Sequence, residues 1–219
     1  MSEIKDSLGI IQEINSKSRE EVILDIGCGA NKKIATHIGI DMLDLEGVDI
    51  VGEVLEVTKR IQDNSIDKIY TSHFLEHIEE FEEYLNEFSR ILKLDGVLEI
   101  IVPHYSNPYF YSDPTHKRYF GLYTMCYFTE STLFKRTVPK YNHQINFALV
   151  SVRLNFSSTR PFYIRHAIKK IFGFMFGASY FMQEFWEENL SFIFPCYDIR
   201  YNLKKLAYKI GPGSPKSHD

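Results

Sequence analysis

Apolar positions along the chain follow two alternating periodicities. Short runs dominated by branched residues predict buried strands at Val22–Ile26, about 38–42, about 48–51, Lys68–Thr71 and Val97–Val102, the last stopped by Pro103. Helical spacing separates them. Residues 3–15 place Ile4, Leu8, Ile11 and Ile14 on one stripe, and Glu53–Ile61 reads as a second helix. The clearest helix spans 79–92, where Phe81, Tyr84, Leu85, Phe88, Ile91 and Leu92 fall at i, i+3, i+4, i+7, i+10 and i+11. Four glutamates (79, 80, 82 and 83) crowd its first turns, where the helix dipole favours negative charge. Asp63-Asn64-Ser65 and Asp95-Gly96 read as turns.

The pattern changes after Pro103. Residues 104–126 form a long loop rich in His, Tyr, Pro and Asp, and its ring content argues for order. Thr129 to Thr132 opens a short helix, Phe147–Phe156 alternates as a strand, 164–188 reads as one or two helices, and Asp198–Leu206 supplies a last strand. Strands alternating with helices predict an α/β fold: a Rossmann-like, doubly wound, mostly parallel seven-stranded sheet. We expect one domain over 1–210, a C-terminal helical insertion or lid over about 157–190, and a flexible tail at 211–219 with two glycines and two prolines.

Two strand ends carry the chemistry. Leu24-Asp25-Ile26-Gly27-Cys28-Gly29 breaks from a strand into a Gly-x-Gly turn, and Gly39-Ile40-Asp41-Met42 ends the next strand on an acid. Glycine lets the backbone turn sharply and approach a ligand closely. An acid at the next strand tip accepts hydrogen bonds from ribose hydroxyls. Together they predict a pocket for a nucleoside-bearing cofactor. The nicotinamide fingerprint requires a third glycine and an acid about 20 residues on. Lys32 stands at that third position, and Asp41 follows Gly27 by fourteen residues. Ala30-Asn31-Lys32-Lys33 still suits an anion, yet Asp25 would set a carboxylate against a pyrophosphate. S-adenosylmethionine has an ammonium for that carboxylate and no phosphate.

On these residues the chain resembles the class I S-adenosylmethionine-dependent methyltransferases. Leu24–Gly29 matches their first motif and Asp41 their ribose-binding acid. Ser65–Tyr70 with Ser72–His77 looks like their fourth strand and the segment after it, and Leu92–Gly96 leading into Val97–Pro103 like the entrance to their fifth. The likeness covers roughly residues 20–120. Asp113-Pro114-Thr115-His116-Lys117-Arg118-Tyr119-Phe120 resembles a bacterial and archaeal subgroup often associated with polysaccharide or lipid-linked glycan genes.

The resemblance implies a cofactor seat of Asp25, Gly27, Cys28, Gly29, Asp41 and Met42, with Glu53 and Val54 at the adenine-contacting segment. For Glu53 a helix-capping acid is the competing reading. Ligands in open α/β sheets sit beyond the carboxyl ends of the strands, so Ser72, His73 and Leu75 should floor the methionine end. His104, Tyr105, Tyr109 and Arg118, off the end of strand five, should meet the acceptor. A hydroxyl acceptor gains from proton removal, for which His116, oriented by Asp113, and His73 are candidates. A rigid turn at Asp113–His116 is the alternative. His73 and His77 have metal-compatible spacing, but no third ligand lies nearby in sequence, so no metal is expected. The acceptor implied is a small molecule, a sugar or a lipid-linked sugar, methylated on oxygen. Two rivals are an NAD(P)-dependent oxidoreductase on a similar fold and a non-catalytic regulator binding a partner.

Composition narrows this further. The 219 residues are 44% hydrophobic and 25% charged, ordinary for one globular domain. A net charge of −4 without a basic stripe argues against nucleic acid. Three widely spaced cysteines suggest neither a disulfide framework nor a zinc site. The polar start reads as a helix rather than a signal peptide, so a cytoplasmic location is expected. Aromatics reach 15% and concentrate over 162–197. Ile171–Met182 is too short to span a bilayer. Arg165, Lys169 and Lys170 before it and Glu184, Glu187 and Glu188 after it leave three uses open: a lid, a homodimer contact, or peripheral rest on an anionic membrane.

Overall fold

Ile23, Leu24 and Ile26 have branched side chains that suit a pleated surface buried on both faces. Leu24 and Ile26 are fully buried, as are Ile40, Ile50 and Ile69 on neighbouring strands. The structure is a computed structural model that describes residues 4–139, 145–159 and 161–207. Its strands are β1 (Ile23–Ile26), β2 (Ile38–Asp41), β3 (Ile50–Val51), β4 (Ile66–Ser72), β5 (Leu92–Pro103), β6 (Phe147–Asn155) and β7 (Asp198–Lys205). They form one seven-stranded sheet in the order β3-β2-β1-β4-β5-β7-β6. The first five are parallel, and β7 runs antiparallel between β5 and β6. The strand order reverses between β1 and β4, which is where such sheets open a crevice at their carboxyl ends.

The helices are α1 (Ile10–Asn15), α2 (Val54–Thr58), α3 (Phe81–Ile91), α4 (Tyr163–Phe176) and α5 (Tyr180–Asn189). Helix α3 buries Phe81, Tyr84, Leu85, Phe88 and Ile91, the predicted stripe, in the main core. Helices α4 and α5 lie between β6 and β7, as the expected insertion does. They meet a separate small core of Phe156, Phe176, Trp186 and Cys196.

Three local expectations are corrected. The helix expected over 3–15 begins only at Ile10. Asp6 accepts from the N–H groups of Ile10 and Ile11 (2.8 and 2.9 Å), capping the helix start, while Lys5 pairs with Val51 on the sheet edge. Leu8 is left 71% exposed. Thr129–Thr132 forms no helix. Glu130 bridges to Ala148 instead, because edge strand β6 offers backbone groups that need partners. The Asp95-Gly96 turn falls inside β5, where the β4–β5 register slips and Asp95 takes φ 64°. The tail at 211–219 lies outside the described residues.

Candidate active site

The β1 loop takes the geometry its glycines allow. Gly27 and Gly29 have φ of 66° and 54°, and a Cβ on Gly27 would lie 2.5 Å from the Phe74 ring. Gly27 N–H donates to Ile40 O (2.8 Å), tying the turn to β2. Cys28 is half-buried, and burial, aided by Asp25 and Asp41, pushes its thiol up to about 12, so it stays protonated. All three cysteines are free.

Asp25 is buried, and its Oδ2 accepts from Lys33 N–H (2.8 Å), which braces the loop. Burial raises its pKa, opposed first by the Lys33 bond. Asp41 stands at the tip of β2. One oxygen accepts from Gly29 N–H (2.8 Å) and the other from Leu43 N–H (2.9 Å). A carboxylate has about four lone-pair positions, so Asp41 keeps capacity for a ligand. Met42 beside it is exposed. Glu53 follows the capping reading: one oxygen accepts from Glu56 N–H (2.9 Å), the other from Tyr84 O–H (2.6 Å). Val54 and Leu75 are buried in the core and present no side chain to a ligand.

At the tips of β4 and β5 the chain gathers its titratable groups. Ser72 ends β4. His73 follows in the left-handed region, φ 54°, which is costly for a non-glycine residue. Its Nδ1 lies 3.3 Å from Glu76 Oε1 and its Nε2 3.6 Å from Asp198 Oδ1. Glu76 raises its pKa, opposed by burial and helped by Asp198. The 113–118 loop docks onto this turn: the N–H groups of Lys117 and Arg118 both donate to Glu76 O (2.7 and 3.2 Å).

Within the loop, Asp113 Oδ1 accepts from Thr115 N–H (2.9 Å) and from Thr115 Oγ1–H (2.6 Å), which together hold its carboxyl below the usual range. With its only proton spent on Asp113, the Thr115 hydroxyl accepts from His77 Nδ1–H (2.8 Å). His116 Nδ1 lies 2.9 Å from Phe110 O, and a carbonyl can only accept. Nδ1 is thereby the hydrogen-bonding nitrogen of both imidazoles, and Nε2 is left to other partners. His116 Nε2 lies 3.7 Å from Asp113 Oδ2. The turn reading of Asp113–His116 and the candidate chemistry of His116 thus coexist.

Other candidates are not brought to this opening. His104 is fully buried, its nitrogens held by Ser106 Oγ (2.8 Å) and Glu187 Oε2 (3.0 Å), and it anchors α5. The Arg118 guanidinium is spent on Ile78 O (3.0 Å) and Glu79 O, over the Phe81 ring. These bonds clamp the loop to the segment before α3. Tyr105 faces a 510 Å³ cavity shared with Tyr123, Arg136 and Phe181. Tyr109 faces a separate 220 Å³ groove lined by Arg165, Ile168, Lys169, Phe172, Phe194 and Tyr197. Sequence reasoning missed Glu76, Thr115 and Asp198. Glu76 had a signal, standing beside His77 in the segment already singled out. Asp198 had none, since β7 brings it to His73 from far along the chain. His77, expected to have no third ligand nearby, has Glu76 and His116 as neighbours, with one ligand-capable atom of each within 4.8 Å of the others.

Comparison with known proteins agrees with this architecture. A methyltransferase domain family matches residues 8–152. No curated protein sequence matches the chain. Among solved structures, the chain is similar to a SAM-dependent methyltransferase from Archaeoglobus fulgidus, at 19% identity over 84% of this chain and 86% of that one, TM-score 0.52. It is also similar to the YcgJ protein from Bacillus subtilis (17% identity, 89% and 97% covered, TM-score 0.46). A third is phosphoethanolamine N-methyltransferase 2 from Haemonchus contortus, in complex with phosphomonomethylethanolamine and S-adenosylhomocysteine (13% identity, TM-score 0.48), with 91% of this chain covering 52% of that one. With that family matched over more than half its length, on a sheet opening at the β1–β4 crevice, the chain belongs to the methyltransferase domain family and is an enzyme whose cofactor is S-adenosylmethionine.

Proposed function

We propose that the enzyme transfers the methyl group of S-adenosylmethionine to a hydroxyl oxygen of a small acceptor, a sugar carried on an anionic lipid. On this reading the cofactor lies across the β1 loop. Gly27, Cys28 and Gly29 supply close-approaching backbone, Asp41 takes the ribose hydroxyls, Met42 covers the adenosine, and Asp25 holds the loop in shape. The methionine end then reaches Ser72 and His73. Methyl transfer is an in-line displacement, so the protein's main task is to hold acceptor oxygen and methyl carbon at about 3 Å in line. The acceptor hydroxyl gives its proton toward His116 Nε2, and Asp113 stabilises the resulting imidazolium.

The observation that carries the acceptor class is the groove beside the loop. Its apolar wall of Ile168, Phe172 and Phe194 suits a lipid tail, and Arg165 and Lys169 on the same wall suit a phosphate. Two of its residues, Tyr109 and Tyr197, are chain neighbours of the site: Tyr109 opens the turn leading to Asp113, and Tyr197 precedes Asp198. A lipid-linked sugar seated there would bring its polar end to His116. Methyl-labelled cofactor, offered free nucleotide sugars and lipid-linked sugars in parallel, should label the lipid-linked class on oxygen. Label confined to nitrogen acceptors would overturn the proposal.

A further inference from the structure

Glu76, His77 and His116 meet where the turn after β4 receives the 113–118 loop, with one ligand-capable atom of each within 4.8 Å of the others. Glu76 is fully buried, and neither carboxylate oxygen has a hydrogen-bond partner. The nearest cation, His73 Nδ1 at 3.3 Å, is within ion-pair distance but makes no aligned bond. Nδ1 of His77 and of His116 is engaged by Thr115 and Phe110, leaving Nε2 of each ring as the nitrogen available to a ligand. The rings lie 4.8 Å apart between centroids. A buried carboxylate without donors costs free energy, and a divalent cation held by it offsets that cost.

We infer that Glu76, His77 and His116 form a divalent metal site. Two imidazoles and a carboxylate are a donor set for a borderline transition ion such as Zn²⁺, Mn²⁺ or Co²⁺. An ion about 2.1 Å from each ligand atom needs those atoms no more than about 4.2 Å apart. The present limit of 4.8 Å closes by a small inward shift of side chains. The outer contacts are already built: Thr115, itself bound to Asp113, orients His77, and Phe110 O orients His116, the arrangement that fixes tautomer and ring angle around metal-bound histidines. The loop is held in register by the two bonds from Lys117 and Arg118 to Glu76 O, so the ligand set is assembled before any ion arrives.

The seat rests on the three side chains alone, and its use rests on the proposed O-methyl transfer. There the ion would bind the acceptor hydroxyl and lower its pKa. The proton leaves to water, the oxygen lone pair forms the O–CH3 bond, and the S–CH3 pair returns to sulfur. With the ion bound, His116 Nε2 holds it and the proton passes to water; with the seat empty, the same nitrogen takes the proton directly.

Cobalt chloride titrated into chelator-treated, untagged full-length protein provides the test, read by the visible Co²⁺ band and by calorimetric stoichiometry. One ion per chain is expected, with affinity falling at least tenfold in H77Q and in H116Q, and unchanged in H166Q on α4. E76Q should behave like the histidine variants wherever thermal unfolding confirms that it folds. Absence of the band and of stoichiometric heat, or H77Q and H116Q binding as the wild type does, would overturn the site. S-adenosylhomocysteine calorimetry on the same samples separates the two readings. Cofactor binding without cobalt uptake sinks the metal site and spares the methyltransferase. Cobalt uptake with label found only on nitrogen sustains the site and sinks the hydroxyl acceptor.

Discussion

Gly27 concentrates the cofactor argument in one missing methyl group. Its φ of 66° and the Phe74 ring 2.5 Å from an added Cβ mean that Gly27→Ala must move either the loop or the ring. We expect a loss of about 1–3 kcal/mol of stability and a clear loss of S-adenosylhomocysteine affinity; unaltered affinity by calorimetry would contradict the placement of the cofactor on this loop. His116→Ala should instead lower turnover by roughly 10²–10⁴-fold while leaving cofactor affinity intact, and equal losses in both would remove its chemical role. His73 gives a pH prediction. Its folded pKa is raised above the ordinary 6.5 by Glu76 and Asp198. The stabilisation is therefore complete below 6.5 and disappears as pH rises through the raised value. Urea midpoints should fall across that window in the wild type and stay flatter in His73→Gln. At this scale the sequence was legible in the backbone, at the positive-φ turn of Gly27 and Gly29 and at Asp41 on the tip of β2. It did not show the partners of His104 on α5 or of Arg118 just before α3, because both lie far from them along the chain.

Elements were legible wherever one periodicity ran uninterrupted. The stripe of α3 and the branched runs of β1, β2 and β4 carry their own burial pattern, so the type of each element and its place in the core follow from it. Segments whose fate depends on a remote partner were not. Residues 4–9 are drawn to β3 through Lys5, and Glu130 is recruited by the β6 edge. Helices α4 and α5 were legible as helices, but their attachment was not, because it comes from a small core assembled from four separate segments. Trp186 is the centre of that core. It meets Phe156 edge-on at 4.9 Å, and its Nε1–H donates to Phe194 O (3.1 Å). Trp186→Ala should cost about 3–5 kcal/mol, measured by chemical denaturation. If that core is independent of the sheet, the loss should come as an early partial transition, with the β1 loop still binding S-adenosylhomocysteine.

For the molecule as a whole, the unanswered force is on α4. Of this helix only Phe176 is buried, while Ile164, Ile171 and Phe174 stand 80, 68 and 86% exposed, with Phe192 and Ile193 exposed just beyond α5. No helix among the described residues is long and apolar enough to cross a membrane. A face this apolar, beside Arg165, Lys169 and Lys170, suits shallow burial in an anionic bilayer surface, where the groove at Tyr109 would receive the proposed lipid-linked acceptor directly. Each basic residue near such a surface contributes about 1 kcal/mol, so the R165Q/K169Q/K170Q variant should bind vesicles containing anionic lipid roughly a hundredfold more weakly. Binding should also weaken with salt, since these charges are screened beyond about 10 Å at 0.1 M. Co-sedimentation with anionic and neutral vesicles reads both effects. If the wild type ignores vesicles and its sedimentation coefficient rises with protein concentration, the apolar face is covered by a second copy, and the acceptor must arrive from solution.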